Sequence, residues 1–457
     1  MSLHPAFSNR QFRIYGISFV AITMALGVGI YIQQHSEAQT ETTELSSLSP
    51  NKTPAGKSSQ RPLELKEATK KSTQTQNEPQ VMLNDPALQQ AWGIKKSDAA
   101  RAWEVSQGSR DIRVAVIDTG ADVNHEDLRV NVWVNPGESG LDAKGRDKAN
   151  NGIDDDGNGY VDDVHGWNFV SNNADLTDNH GHGTHIAGII GAEAGNGKGI
   201  AGIAPQVSLM ILKYYDPKVQ GTDNLKNTVN SIRYAIKMKA NIINYSGGGT
   251  EFSQEEHDAI EEARKQGILV VAAAGNERSN SDNHKYFPAD YGLSNIISVT
   301  AIDPSTEVLA SSNYGTETVD IAAPGQNILS TLPGNSYGYM TGTSQATAFV
   351  TGAAVLVMAK KNNLIPEEVK KYILATGDAK SSLIAKTRTN RQLNLYKSLT
   401  VLGSAEDASG VVASNGYGMR NQFVGDPNTV PKADGRNIAA FGKSLMEKLE
   451  EEKPKSK

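Results

Sequence analysis

The sequence predicts an α/β fold of three layers, a mostly parallel central sheet with helices on both faces, and three stretches carry that expectation. Arg113-Val114-Ala115-Val116-Ile117 is a short, mostly apolar run ending in Asp118-Thr119-Gly120, and Ile268 through Ala274 is a second, ending in Gly275-Asn276. Runs this short and this continuously apolar suit strands covered on both faces, as in parallel sheets. From Ala346 to Ala359 nearly every residue is small or aliphatic, with no polar side at helical period. That is the pattern of a helix enclosed all round.

Taken in order, the 457 residues leave room for one large domain plus extensions. A net charge of -6 without a long basic stripe argues against nucleic acid as a partner, and the lack of cysteine excludes disulfides and thiolate metal sites. Residues 1–13 carry Arg10 and Arg13, after which Ile14 to Ile32 contains no charged side chain. At helical rise that stretch nearly spans a bilayer, so 14–33 reads as a signal anchor. Ser36-Glu37-Ala38 has the small-x-small form of a cleavage site, so a cleaved signal peptide is the alternative. Either way, residues 1–13 stay in the cytoplasm and the remainder is extracytoplasmic, membrane-anchored or secreted. Residues 34–83 are rich in Ser, Thr, Gln, Glu and Lys and form a flexible linker or short pro-segment. The main domain is 84–402. A polar extension follows over 403–457, where Ile438, Phe441, Leu445 and Leu449 recur at helical spacing.

Within the domain, Asp118 ends a buried parallel strand, and ligands bind at that edge of open α/β sheets. The loop Asn150 to Asp163 then places Asp154, Asp156 and Asn158 on alternate residues, follows them with a glycine, and adds Asp162 and Asp163. Oxygen donors so spaced suit a hard cation, calcium first. The match to an EF-hand loop is partial, because its twelfth position is His165, and a solvated acidic loop is the alternative. Gly181-His182-Gly183-Thr184-His185 puts a histidine in a glycine-rich turn leading into a helix. His180, His182 and His185 do not read as a zinc site, since there is no His-Glu-x-x-His helix and no fitting third ligand. Lys239 to Gly249 reads as a strand breaking into glycines.

Thr341-Gly342-Thr343 delivers Ser344 to the start of the buried helix, where unpaired N–H groups and the macrodipole favour negative charge. Alone, Ser344 is better explained as an N-cap. An Asp, a His and a Ser, each at the end of a buried element, are what acyl transfer requires, and the Asn276 amide can donate to an oxyanion.

The strand ending Asp118-Thr119-Gly120, then His182-Gly183-Thr184-His185, then Gly342-Thr343-Ser344 resemble, in that order, the three active-site signatures of the subtilisin-like serine proteases, the subtilases. The likeness runs from about Asp85 to about Leu399, including Asn84-Asp85-Pro86, Gln90-Ala91-Trp92-Gly93 and Leu393-Asn394-Leu395-Tyr396. It implies a subtilisin-like fold and a serine endopeptidase acting on peptides or proteins. In that reading Ser344 is the nucleophile, His182 the general base and acid, Asp118 the orienting carboxylate and Asn276 the oxyanion donor. Ser246, Gly247 and Gly248, with Ala274 and Gly275, would bind the substrate backbone as an added strand. The resemblance also implies a stabilising calcium at Asp127 and Asn196.

Several positions depart from the family pattern. Gly247 stands where leucine is common, which predicts a wider, less apolar pocket. Gln345 stands where methionine is common, and Ala348-Phe349 replaces a Pro-His pair. The folded pro-domain of many subtilases is not visible in 34–83. No organic cofactor is expected, and nothing requires more than a monomer. The peptide-binding edge favours a peptidase over an esterase. A silent peptide-binding relative is the rival from another class, opposed by the presence of all four catalytic residue types.

Overall fold

Alternation along strand β1 (Gly108–Asp118) decides the architecture. Val114 and Val116 enter one apolar cluster, Ala115 and Ile117 another, and all four are fully buried. Successive strand residues point to opposite faces, so β1 is covered on both. The same division runs through β3 (Gln206–Lys213), with Leu209 and Ile211 on one side and Met210 and Leu212 on the other, and through β5 (Leu269–Ala273). Helices His182–Gly191 and Thr343–Lys360 close the first cluster; Asn224–Lys237 and Gln254–Lys265 close the second. Three layers result, as the sequence predicts.

The chain was analysed as a computed structural model that describes residues 84–400. The span at 14–33 with its flank at 1–13, the whole segment 34–83 before the domain, and the extension at 403–457 with its helically spaced apolar residues lie outside the described residues. Among those described, no helix is long and apolar enough to cross a membrane.

The remaining strands are β2 (Gly166–Asn168), β4 (Ile242–Tyr245), β6 (Ile296–Ile302), β7 (Ile321–Pro324), β8 (Ile328–Leu332), β9 (Ser336–Met340), β10 (Asp378–Ala379) and β11 (Arg391–Gln392). Nine form one sheet in the order β10-β11-β7-β6-β5-β4-β1-β3-β2, and β8 and β9 form a separate antiparallel hairpin. Every neighbouring pair in the large sheet is parallel except β10 with β11. Val116 of β1 pairs with Ile211 of β3 on one side and Asn244 of β4 on the other, so the strand order turns around at β1. Connections leaving a turning point diverge, which opens a crevice at the carboxyl ends of the strands beside it.

The helix expected from Ala346 begins earlier, at Thr343, and is buried without a break to Met358. It packs across β1, β4, β5, β6 and β7 as well as the helix that His182 opens. Its run of Ala, Gly, Thr and Val lets it lie close to several strands at once.

Candidate active site

The crevice beside β1 gathers the four catalytic-type residues. Asp118 is the last residue of β1, and its Oδ1 lies 2.7 Å from Nδ1 of His182, the first residue of its helix. The same oxygen accepts the Thr119 N–H at 2.8 Å, which fixes the carboxylate plane. Burial opposes a charged imidazole, but the charge and hydrogen bond of Asp118, helped by the charge of Asp178, outweigh it and raise the His182 pKa above its ordinary value. Gly183 follows because a Cβ there would strike the Gly120 carbonyl, inside van der Waals contact. The Ser344 hydroxyl donates to the Ser246 carbonyl at 3.0 Å. Its partner here is thus the β4 segment and not His182, whose Nε2 makes no hydrogen bond among the described residues. Asn276 follows β5. Its Oδ1 accepts the Thr343 N–H at 3.1 Å and the Thr343 hydroxyl at 3.3 Å, tying the amide to the turn that carries Ser344.

The segments Ser246-Gly247-Gly248 and Ala274-Gly275 leave neighbouring strands, with Tyr245 of β4 in register with Ala272 of β5. Buried Asn244 relays the position of the long helix to this edge. Its Oδ1 accepts from Thr351 at 2.8 Å and its Nδ2 donates to the Ser246 hydroxyl at 3.0 Å. Gly247 does not open the wider pocket expected from the missing leucine. The Tyr214 hydroxyl occupies the place its Cβ would take, and the Tyr245 ring stands 2.9 Å from that place. The Tyr214 and Tyr245 rings meet edge-on, 5.9 Å between centroids. An aromatic wall has replaced the aliphatic one.

Sequence reasoning missed Asp178. It is buried and accepts five hydrogen bonds. Its Oδ1 takes the Thr119 hydroxyl at 2.8 Å, the His180 N–H at 3.0 Å and the Gly181 N–H at 2.7 Å; its Oδ2 takes the Thr184 N–H at 2.8 Å and the Thr184 hydroxyl at 2.7 Å. The Thr119 hydroxyl in turn accepts the Gly183 N–H at 2.9 Å. Asp178 therefore satisfies the amino end of the His182 helix and stitches it to the Asp118 turn. The available signal was a carboxylate shortly ahead of Gly181-His182. Buried Lys213, at the end of β3, steadies the same loop by donating to the Thr177 carbonyl and pairing with Asp216, each at 2.6 Å. His185 is set apart from the chemistry. Its Nε2 lies 2.9 Å from the Ile328 carbonyl, and burial, then the charge of His182, lowers its pKa to about 4, so it is neutral and anchors the β8 hairpin.

Of the acidic-loop residues, Asp156 and Asp163 come together with Glu138, which the sequence reading did not single out. One carboxylate oxygen of each lies within 4.8 Å of the others. Glu138 is fully buried. Its Oε1 accepts the N–H groups of Asp155 at 2.7 Å and Asp156 at 3.2 Å, and its Oε2 has no partner. Asn158 turns its amide N–H groups to Asp156 at 3.2 Å and Asp163 at 2.9 Å. Asp154 and Asp162 serve the loop backbone instead, accepting from Gly159 at 2.7 Å and Gly152 at 3.1 Å. At the second expected cation position, Asn196 donates to Asp127 at 2.7 Å. The other Asp127 oxygen accepts from Ile200 and Tyr337, each at 3.0 Å.

Residues 109–418 match the family model described as the subtilase family. Over 309 residues the chain is 36% identical to the thermophilic serine proteinase of Bacillus sp. (strain AK1), covering 68% of this chain and 67% of that protein. It is 35% identical over 278 residues to thermitase of Thermoactinomyces vulgaris, 61% of this chain and 85% of that one. Among solved structures, a protease of Pseudoalteromonas arctica PAMC 21717 aligns with a TM-score of 0.55 at 27% identity, covering 70% of this chain and 99% of its own. The chain belongs to the subtilase family and is a serine-type endopeptidase.

Proposed function

We propose that this peptidase works through Ser344, His182 and Asp118, with Asn276 as oxyanion donor, on peptide or protein substrates outside the cytoplasm. The observation that carries the reading is the 2.7 Å bond between Asp118 and His182 at the sheet edge where Ser344 emerges. In the reaction, Ser344 Oγ leaves the Ser246 carbonyl by rotation about its side chain and bonds to the substrate carbonyl carbon, while its proton passes to His182 Nε2. Asp118 holds Nδ1–H and stabilises the imidazolium that forms. The Ser344 backbone N–H and the Asn276 amide face the negative oxygen. His182 gives its proton to the departing amine as the C–N bond breaks, and water then releases the acyl group by the same path. An extended substrate lies along Ser246-Gly247-Gly248 and Ala274-Gly275.

The chain acts as a monomer, and the positive flank of Arg10 and Arg13 before an uncharged stretch supports the extracytoplasmic location. A structural calcium also belongs to this reading. The buried, unpartnered Glu138 Oε2 beside two more carboxylates fits a hard cation, which would satisfy an oxygen that nothing else does. Glu138, Asp156 and Asp163 would hold it, and its contribution would be to stability.

Labelling with a fluorophosphonate at neutral pH tests the catalytic assignment. One label per molecule on Ser344 is expected, and none in Ser344→Ala. A folded wild type that stays unlabelled, or a label that survives the substitution, would overturn it.

A further inference from the structure

Two backbone segments flank the place where a substrate side chain must go. If a peptide pairs along Ser246-Gly247-Gly248 with its carbonyl at Ser344, the side chain on the acyl side of the scissile bond enters between that segment and Ala274-Gly275. The space there is taken by the Tyr286 ring. Its Cε1 and Cζ lie 2.6 and 3.0 Å from where Gly248 would carry a Cβ, and its Cδ2 lies 2.9 Å from where Gly275 would carry one. Cε1 and Cδ2 are opposite corners of a phenol ring, so one ring is wedged edge to edge between the two glycines. Only the absence of both side chains lets it fit.

The wedge is held from its own backbone. The Tyr286 N–H donates to Asp290 at 2.7 Å, and the Asp290 N–H returns to the Tyr286 carbonyl at 3.0 Å. The next residue, Phe287, exchanges two backbone hydrogen bonds with Gly249, at 2.7 and 2.9 Å, so this loop is pinned to the substrate-binding segment itself. The Phe287 ring stacks on Tyr291 at 4.8 Å. Tyr214 stands against Gly247 of the same segment, its hydroxyl in the place where that glycine would carry a Cβ. Burial first, with the charges of Glu277 and Glu256, raises the Tyr286 pKa, so the ring stays neutral and presents no charge to a basic side chain.

We propose that Tyr286 limits the size of the acyl-side residue, making this enzyme selective for cleavage after glycine, alanine and serine. The inference rests on the proposed reading of Ser344 and the two flanking segments as the peptide-binding site. A pocket that loses or gains room for a few methylene groups changes selectivity by about 10- to 200-fold per group.

The test is kcat/KM on peptide p-nitroanilides identical except for alanine or phenylalanine before the scissile bond, measured beside fluorophosphonate labelling. Wild type is expected to favour alanine by at least about tenfold. Tyr286→Gly should raise the phenylalanine-to-alanine ratio on the order of 100-fold, while Tyr286→Phe, which keeps the ring, should retain the wild-type ratio. Wild type that cleaves after phenylalanine as well as after alanine overturns the proposal whether or not the glycine variant folds, and so does an unchanged ratio in a folded Tyr286→Gly. Labelling of Ser344 separates the failures. Intact labelling with a flat ratio defeats the Tyr286 assignment alone, whereas no labelling defeats the catalytic reading and this inference with it.

Discussion

Replacing Asp178 with alanine should both loosen the domain and displace the titration of His182. The variant leaves the Gly181 and Thr184 N–H groups, at the buried amino end of the His182 helix, without acceptors. A buried unsatisfied donor costs about 1–3 kcal/mol, so the two together cost about 2–6 kcal/mol. For a domain of this size that lowers Tm by roughly 3–10 °C. Structural loosening alone would not alter an ionisation in a particular direction. Asp178 is one of the charges that raise the His182 pKa. Its removal, most cleanly as Asp178→Asn, should move the acid limb of the kcat/KM profile to lower pH. Thermal denaturation followed by circular dichroism reads the first effect, and kcat/KM between pH 5 and 9 reads the second. A Tm within about 1 °C of wild type, with the acid limb in place, would refute the view that this carboxylate organises the helix and biases the histidine.

Three further outcomes follow from the same structure. With the His182 pKa raised by Asp118 and Asp178, and His182 acting as the base proposed above, kcat/KM of the wild type should rise with pH through an apparent pKa above 6.5, since a base must be neutral to accept a proton. The sign for stability is opposite. A folded-state pKa above the unfolded one contributes stability that is complete below about pH 6.5 and is lost as pH rises through the folded value. A pH titration of His182 by NMR with a midpoint at or below the ordinary value would contradict both. Removing calcium with EGTA should lower Tm by a few degrees, corresponding to about 2.7 kcal/mol if calcium was present at a hundred times its Kd. Glu138→Gln should abolish most of that difference, and a wild-type Tm indifferent to EGTA would argue against a cation at this cluster.

The parts of the fold that could be read from sequence are those whose information is local. The apolar runs of β1 and β5 and the helix without a polar side state their burial in their own composition, and Asp118, Asn276 and Ser344 lie at or just beyond one end of each. Asp178, Glu138 and Tyr286 could not be read this way. Each has a partner that sequence neighbours do not reveal: Asp178, besides its local bonds, takes Thr119, Glu138 meets Asp156 and Asp163, and Tyr286 meets the bare backbones of Gly248 and Gly275. Gly247 illustrates the same limit from the other side. Its missing side chain was legible as room, but what fills that room is Tyr214, delivered by a different strand. The acidic loop was legible as acidic, whereas which carboxylates converge depended on how its backbone consumed the others.

The long helix beginning at Thr343 has a consequence for the life of the chain before it is complete. It lies against β1, β4, β5, β6 and β7, so the middle of the sheet lacks its cover on one face until the last part of the domain arrives. Contacts between segments so distant in sequence form slowly, after much loop closure has been accomplished. A nascent chain can carry Asp118 and His182 long before Ser344 is synthesised, and even afterwards the serine is correctly placed only when this helix docks. If Ser344 is the nucleophile proposed above, the chain gains activity against neighbouring polypeptides, or itself, only once translation of the domain is finished and its core has closed.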